Sequence, residues 1–154
     1  MKARPMPALD GAASLGVNVA RILAVRVDEL RSFVPRALDP DDVEASHDLR
    51  IAAKRLRYVL EIAGEACVGP PAVRATKLIK ELQDVLGEMH DCDVMLPRLA
   101  AVPGDGIDQL TIHLARRRQE RFARFRELWP EVEEAATSCS HAAADRALLS
   151  DAQP

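Results

Sequence analysis

The stretch Ser46–Glu61, SHDLRIAAKRLRYVLE, decides how this chain is read. It contains neither Gly nor Pro, and five of its side chains are basic when His47 is counted. Wound as a helix at about 100° per residue, it puts Leu49, Ala52, Ala53, Leu56, Val59, Leu60 and, just beyond, Ala63 on one broad face. His47, Arg50, Lys54 and Arg57 fall within a sector of about 80° on another. One side is built to bury, and the other offers a basic group at successive turns. A solvated helix face ordinarily mixes Glu with Lys, yet no acid stands between Asp48 and Glu61. Nothing near in sequence neutralises the row. It reads as an anion site, and its repetition at every turn suits an extended anion.

The rest of the chain sets the limits of that reading. Its 154 residues suffice for one domain with a core of its own. The composition is 48% apolar but only 3% aromatic, with Ala and Leu in bulk, which suits closely packed helices and not a sheet sandwich. No apolar run approaches the roughly 18 residues of a membrane span. The opening MKARPMPALDG lacks the apolar centre of a signal peptide. Cys67, Cys92 and Cys139 are odd in number and unpatterned, so no disulfide framework is expected and a reducing cytoplasm is the expected location. The net charge of −3 is unevenly spread: residues 46–129 carry +2, residues 130–154 carry −4 and residues 1–45 carry −1. An anion site here has to come from local arrangement, not from bulk charge.

Helical spacing of Leu15, Val19, Ile22, Leu23, Leu30 and Val34 predicts a first helix over 12–37, after a loose start at 1–11 that holds Pro5 and Pro7. Asp39-Pro40-Asp41-Asp42 reads as a helix start, with Asp39 as N-cap and Pro40 in the first turn. The second helix then runs to about Ala66, where Gly69-Pro70-Pro71 breaks it. A third is expected over 72–96, ended by Pro97, and a fourth over 107–129, after Pro103-Gly104-Asp105-Gly106 and before Pro130. Residues 130–154, acidic and Ala-rich, are expected to be a tail or to hold a short extra helix around Ala142–Leu149. Nothing alternates at period two. The expected fold is all-α, an antiparallel four-helix bundle over 12–129.

Two segments resemble a known family. His47-Asp48-Leu49-Arg50-Ile51-Ala52-Ala53-Lys54-Arg55-Leu56-Arg57-Tyr58, followed by Leu82-Gln83-Asp84-Val85-Leu86-Gly87-Glu88-Met89-His90-Asp91-Cys92-Asp93-Val94, is similar to the conserved-histidine α-helical domain, CHAD. The resemblance extends over 12–129, with its diagnostic part at 46–99. It implies a helical domain that binds inorganic polyphosphate through a basic channel. It places His47, Arg50, Lys54 and Arg57 at phosphate-facing positions, together with Arg55 from the same basic run. Lys77 and Lys80 on the third helix and Arg117, Arg121 and Arg124 on the fourth would line the same channel. Family members usually carry two tandem four-helix repeats, and this chain has length for one. Two chains are therefore expected to pair as a homodimer into an eight-helix body. Ile51, Arg55, Tyr58 and Ile62 support that independently, as a second stripe on the second helix away from its main buried face.

Catalysis finds no support in the sequence. There is no Gly-rich phosphate loop of the GxxxxGK[ST] type, and no metal cluster or general base stands beside the basic row. His90, Asp91 and Asp93 do not converge from one helix face, so no metal and no cofactor are expected. Asp91 is expected instead to orient an arginine such as Arg57. Arg118 falls inside the apolar stripe of the fourth helix. The expected function is non-enzymatic binding of polyphosphate, with targeting to polyphosphate granules as its cellular use. The alternative is a helical adaptor whose basic face docks an acidic protein. Nucleic acid is disfavoured by the near-absence of aromatic side chains for base stacking and by the acidic flanks.

Overall fold

In the computed structural model the described residues are 4–6, 8–102 and 104–151, with the side chains of Asp105 and Asp151 excepted. Residues 1–3 and 7 of the expected loose start, Pro103 of the expected connection and residues 152–154 of the expected tail lie outside them. Four helices follow in chain order: α1 Leu15–Ala37, α2 Val43–Cys67, α3 Pro70–Leu99 and α4 Asp105–Asp151. No strand occurs among the described residues. Each helix packs on the next, α4 closes back onto α1, and α2 and α4 stand diagonally opposite. The result is an all-α four-helix bundle. No helix among the described residues is long and apolar enough to cross a membrane.

The core collects the stripes that the sequence marks. Leu23 and Leu30 of α1, Leu49 and Leu56 of α2, Ile79, Leu82 and Leu86 of α3 and Phe125 and Leu128 of α4 are all essentially removed from solvent. Small residues let the helices approach. Ala45, Ala52, Ala53 and Ala75 are fully buried, and a Cβ built at Gly64 of α2 would come within 2.8 Å of the Ala72 Cβ on α3.

Helix ends differ from the sequence reading in ways that side-chain chemistry explains. Asp42, not Asp39, caps α2: its Oδ1 accepts the Ala45 N–H at 2.9 Å, while Arg36 holds the carboxylate from α1 at 2.8 Å. Asp39 accepts the Asp41 N–H instead, closing the turn before the helix. Pro70 and Pro71 do not only break the chain; they occupy the first turn of α3, where a missing N–H costs nothing. Before them Gly69 takes φ +85, and the Arg146 guanidinium of α4 lies against the space a Cβ would fill.

The largest correction concerns the tail or short extra helix expected at 130–154: the described residues, 130–151, form neither, because α4 runs unbroken through Pro130 to Asp151. Proline removes one backbone hydrogen bond and crowds the preceding turn. Here Val132, Ala135, Ala136, Cys139 and Ala143 are all buried against the bundle, so packing overrides the local cost. Two acids of this segment are engaged with their own bundle. Glu133 pairs with Arg31 of α1 at 3.2 Å, and Glu134 with Arg74 of α3 at 2.9 Å.

Among the described residues one carboxylate is sealed from solvent completely. Glu29 of α1 is fully buried and accepts from three donors. These are the Arg4 backbone N–H at 2.9 Å, Arg26 at 2.6 Å and Arg55 of α2 at 2.9 Å. Burial works to raise its pKa, yet these partners outweigh burial and hold the group below the ordinary value of 4.5.

Candidate functional site

The basic row of α2 faces α3 across a shallow groove. Arg50, Lys54, Arg57 and Tyr58 line one wall and Lys80, Gln83 and Asp84 the other, around a volume of about 270 Å³. Four cations and one carboxylate meet there. Arg50, Lys54 and Lys80 form no ion pair with any described residue. Arg57 pairs with Glu61 one turn along at 3.3 Å, and its Nε is buried without a hydrogen-bond partner among the described residues. Tyr58 gives the cations a flat support: its ring centre lies 5.4 Å from the Arg57 guanidinium carbon and 5.8 Å from Lys54 Nζ.

A glycine on α3 helps to keep the groove open. Gly87 of α3 lies opposite Arg50, and a Cβ there would sit 3.5 Å from Arg50 Nε. A residue larger than Ala would push the guanidinium off the α3 backbone. One turn before Arg50, His47 meets His90 with ring centres 4.8 Å apart, and neither Nδ1 has a hydrogen-bond partner among the described residues. The two histidines therefore stand one turn beyond the groove, past its Arg50 end. His47 was expected from the row; His90 was not, because its nearness depends on the α2–α3 register.

Lys77 stands one turn before Lys80 and lines a second, larger groove of about 980 Å³ at the α2–α3 turn, with Leu60, Glu61, Glu65, Pro70 and Val73. Lys80 borders both grooves. His47, Arg50, Lys54, Arg57, Lys77 and Lys80 are thus neighbours along one interhelical valley.

Arg55 is not among them. It is turned about 140° from Arg50 around α2, and its guanidinium is held by buried Glu29. Its charge serves the interior, which removes it from the expected phosphate-facing set. Its partner lies 26 residues away in sequence, so no local pattern marks it.

The α4 arginines lie on the other flank of α3, and α3 carboxylates meet them. Arg117 donates from Nε and Nη2 to Glu88 at 3.2 and 2.9 Å, and Arg121 Nε lies 3.8 Å from the same oxygen. Arg124 pairs with Glu81 at 2.5 Å. These hydrogen bonds push Arg117 and Arg124 above the ordinary arginine range. Arg118, inside the apolar stripe, reaches Asp93 of α3 at 2.9 Å, both side chains being about nine-tenths buried. The expected link from Asp91 to Arg57 does not form: Asp91 is exposed, and Arg57 takes Glu61.

Among the described residues no cluster of His, Cys, Asp and Glu is arranged to hold a metal ion. All three cysteines are free and buried. Burial pushes the Cys92 thiol up, and that of Cys139 up to about 11, so neither is a ready nucleophile.

The arrangement can grip an extended anion through Arg50, Lys54, Lys80 and Lys77, none ion-paired with a described residue, and through Arg57, which is paired with Glu61. Comparison with known proteins bears on which anion. The family model for the CHAD domain matches residues 2–100, from the start of the chain through α3. That span is shorter at its far end than the 12–129 expected from the motifs, and α4 lies outside it. Neither curated proteins nor solved structures give a significant match.

Proposed function

Because this chain belongs to the CHAD domain family, we propose that it is a non-enzymatic binder of inorganic polyphosphate, acting through the α2–α3 groove. The observation that carries the reading is the convergence of Arg50, Lys54, Arg57 and Lys80, three of them without an ion pair among the described residues, around one open valley. Polyphosphate bears roughly one charge per phosphate and presents no bases, so backbone-type contacts supply its affinity, by analogy with nucleic-acid backbones. Arginine suits each phosphate because its planar fork donates two hydrogen bonds at once. A cytoplasmic location, and association with polyphosphate granules, belong to the same reading.

The homodimer belongs to it as well. Ile62 and Val73 are 85% and 74% exposed beside the larger groove. That groove has an acidic rim on α2, Glu61 and Glu65, and a basic rim on α3, Lys77 and Lys80. A two-fold axis parallel to the helices would set each rim of one copy against the opposite rim of the other. The two small basic grooves would then face each other. Sedimentation of the protein with and without long-chain polyphosphate tests this: a monomer under both conditions rejects it.

The binding reading is tested by titrating long-chain polyphosphate at low and moderate salt. Wild type is compared with Arg50→Ala/Lys54→Ala/Arg57→Ala. Loss of three cations should weaken binding steeply and flatten the plot of log affinity against log salt by about 2–3. Helical content should be unchanged, since all three side chains reach the surface of the groove. Failure of folded wild type to bind would discard polyphosphate and favour an acidic protein partner on the same face.

A further inference from the structure

The α4 arginines are close enough to α3 to extend the anion surface, yet they are occupied. Glu88 holds Arg117 and Arg121, and Glu81 holds Arg124. Each carboxylate sits where an anionic ligand would sit, against guanidinium donors. The Arg121 Nε is buried and without a hydrogen-bond partner among the described residues, so the carboxylate only partly satisfies this cluster. Both acids share one flank of α3, two turns apart, about 80–120° around the helix from Lys80 and Gly87. The α2–α3 groove and the α4 arginines are therefore the two slopes of a single ridge.

Resting on the polyphosphate reading, we propose that Glu81 and Glu88 are specificity-determining residues that mask a second anion strip, Arg117–Arg121–Arg124. Short phosphate chains fill only the α2–α3 groove. Long chains cross the ridge and displace the two carboxylates.

The crossing has a place. Lys80 is in the groove with Arg57, Glu81 is its neighbour in sequence, and Arg124 lies beyond Glu81. Lys77 is one turn away on the same exposed side. A cationic path thus runs from α2 over α3 to α4, interrupted only by the masking acid. At the next levels Asp84 and then Glu88 stand in the way. The mask is weak by construction. The side chains of Glu81 and Glu88 are 39% and 35% exposed, and their arginines 36–50%. Such pairs bias an equilibrium by about fivefold at most. A single phosphate gains little by replacing one carboxylate with another anion. A chain already anchored in the groove brings its remaining phosphates to the arginines at high effective concentration. Masking therefore turns the strip into a sensor of chain length.

The experiment is a parallel titration with tripolyphosphate and long-chain polyphosphate. It compares wild type, Glu81→Gln/Glu88→Gln, and Glu131→Gln/Asp145→Asn, which removes the same charge from exposed positions elsewhere on α4. The unmasked variant should bind long chains about 3- to 30-fold more tightly and show a steeper salt dependence. Its tripolyphosphate affinity should move less than about twofold, like that of the control. Adding Arg117→Gln/Arg121→Gln/Arg124→Gln to the unmasked variant should abolish the gain. An equal gain for both ligands, an equal gain in the control, or no gain in a folded unmasked variant would overturn the masking. Loss of the α2 cations tests the groove separately: if Arg50→Ala/Lys54→Ala/Arg57→Ala binds like wild type, the groove reading fails whatever the glutamines show.

Discussion

Replacing Glu29 by Gln removes one negative charge from the interior and keeps the side chain's size. The amide still offers one carbonyl oxygen, but its NH₂ now faces cations and donors where a carboxylate oxygen accepted them. Removing one partner of a fully buried ion pair costs about 3–5 kcal/mol, because the other charge is left unpaired. Here the cost is reduced. The Arg26 and Arg55 side chains are 12% and 26% exposed, so each recovers part of its hydration. A loss of about 2 kcal/mol follows, or about 4–8 °C in Tm for a chain of this size. Urea unfolding followed by helical circular dichroism measures it, and pH identifies its origin. The folded pKa of Glu29 lies below its ordinary 4.5. Its stabilisation is therefore fully present above that value and is lost as pH falls through the folded pKa. Wild type and Glu29→Gln should differ most near neutrality and converge as pH drops from about 5 towards 3. A variant as stable as wild type at neutral pH, or a difference that persists unchanged into acid, would refute an ionised interior carboxylate.

Three further outcomes are expected. Pro130→Ala restores a hydrogen bond inside α4 and should stabilise the protein by about 1–3 kcal/mol; a loss in the same urea assay would mean that the helix needs its proline. Gly69→Ala places a Cβ at φ +85 and against Arg146. It should cost about 1–2 kcal/mol, part of which Arg146→Ala relieves, and full tolerance in a thermal melt would contradict the turn geometry. With Cys67, Cys92 and Cys139 all buried, a disulfide-exchange dye should label no thiol in native protein at neutral pH and all three in urea; rapid native labelling of Cys139, whose thiol is pushed up to about 11, would be inconsistent with its burial.

The sequence resolved the parts of this molecule that local spacing determines. Apolar stripes at helical period located α1 to α3, and the uninterrupted basic row of α2 marked the wall of the groove, because both are properties of one helix. What escaped it depended on two. Arg55 shares its neighbours' chemistry but is turned to α1, and only the packing of α1 on α2 brings Glu29 to it. Nothing near Glu81 or Glu88 in sequence marks the arginines that α4 places beside them. Pro130 read as a terminator because its cost is local, whereas the compensating burial of Val132, Ala135 and Ala136 is tertiary and carried by residues with weak hydrophobic signals. Asp93 was weighed as a metal ligand, and its true partner, Arg118, lies 25 residues on.

The 47 residues of α4 outrun the 23 of α1. Gly16 at the start of α1 meets Ala147, and Arg31 near its end meets Glu133 and Thr137, so α1 supports only the second half of α4. Before Phe125 no described residue of α4 is fully buried. The first turns of α4 and the last turns of α3 therefore form a two-helix spur, with Met95, Leu110 and Ile112 exposed along it. The Arg118–Asp93 pair and the buried Cys92 and Leu99 fasten it. Such a spur is expected to open without unfolding the body of the protein. Amide hydrogens between residues 107 and 121 should exchange with solvent well before those between 125 and 147. Arg117 and Arg121 ride on the spur, while Arg50 and Lys54 are fixed to the body. On the polyphosphate reading proposed above, the two slopes of the α3 ridge would then differ in tempo as well as in pairing, the one carried by the body and the other by the spur.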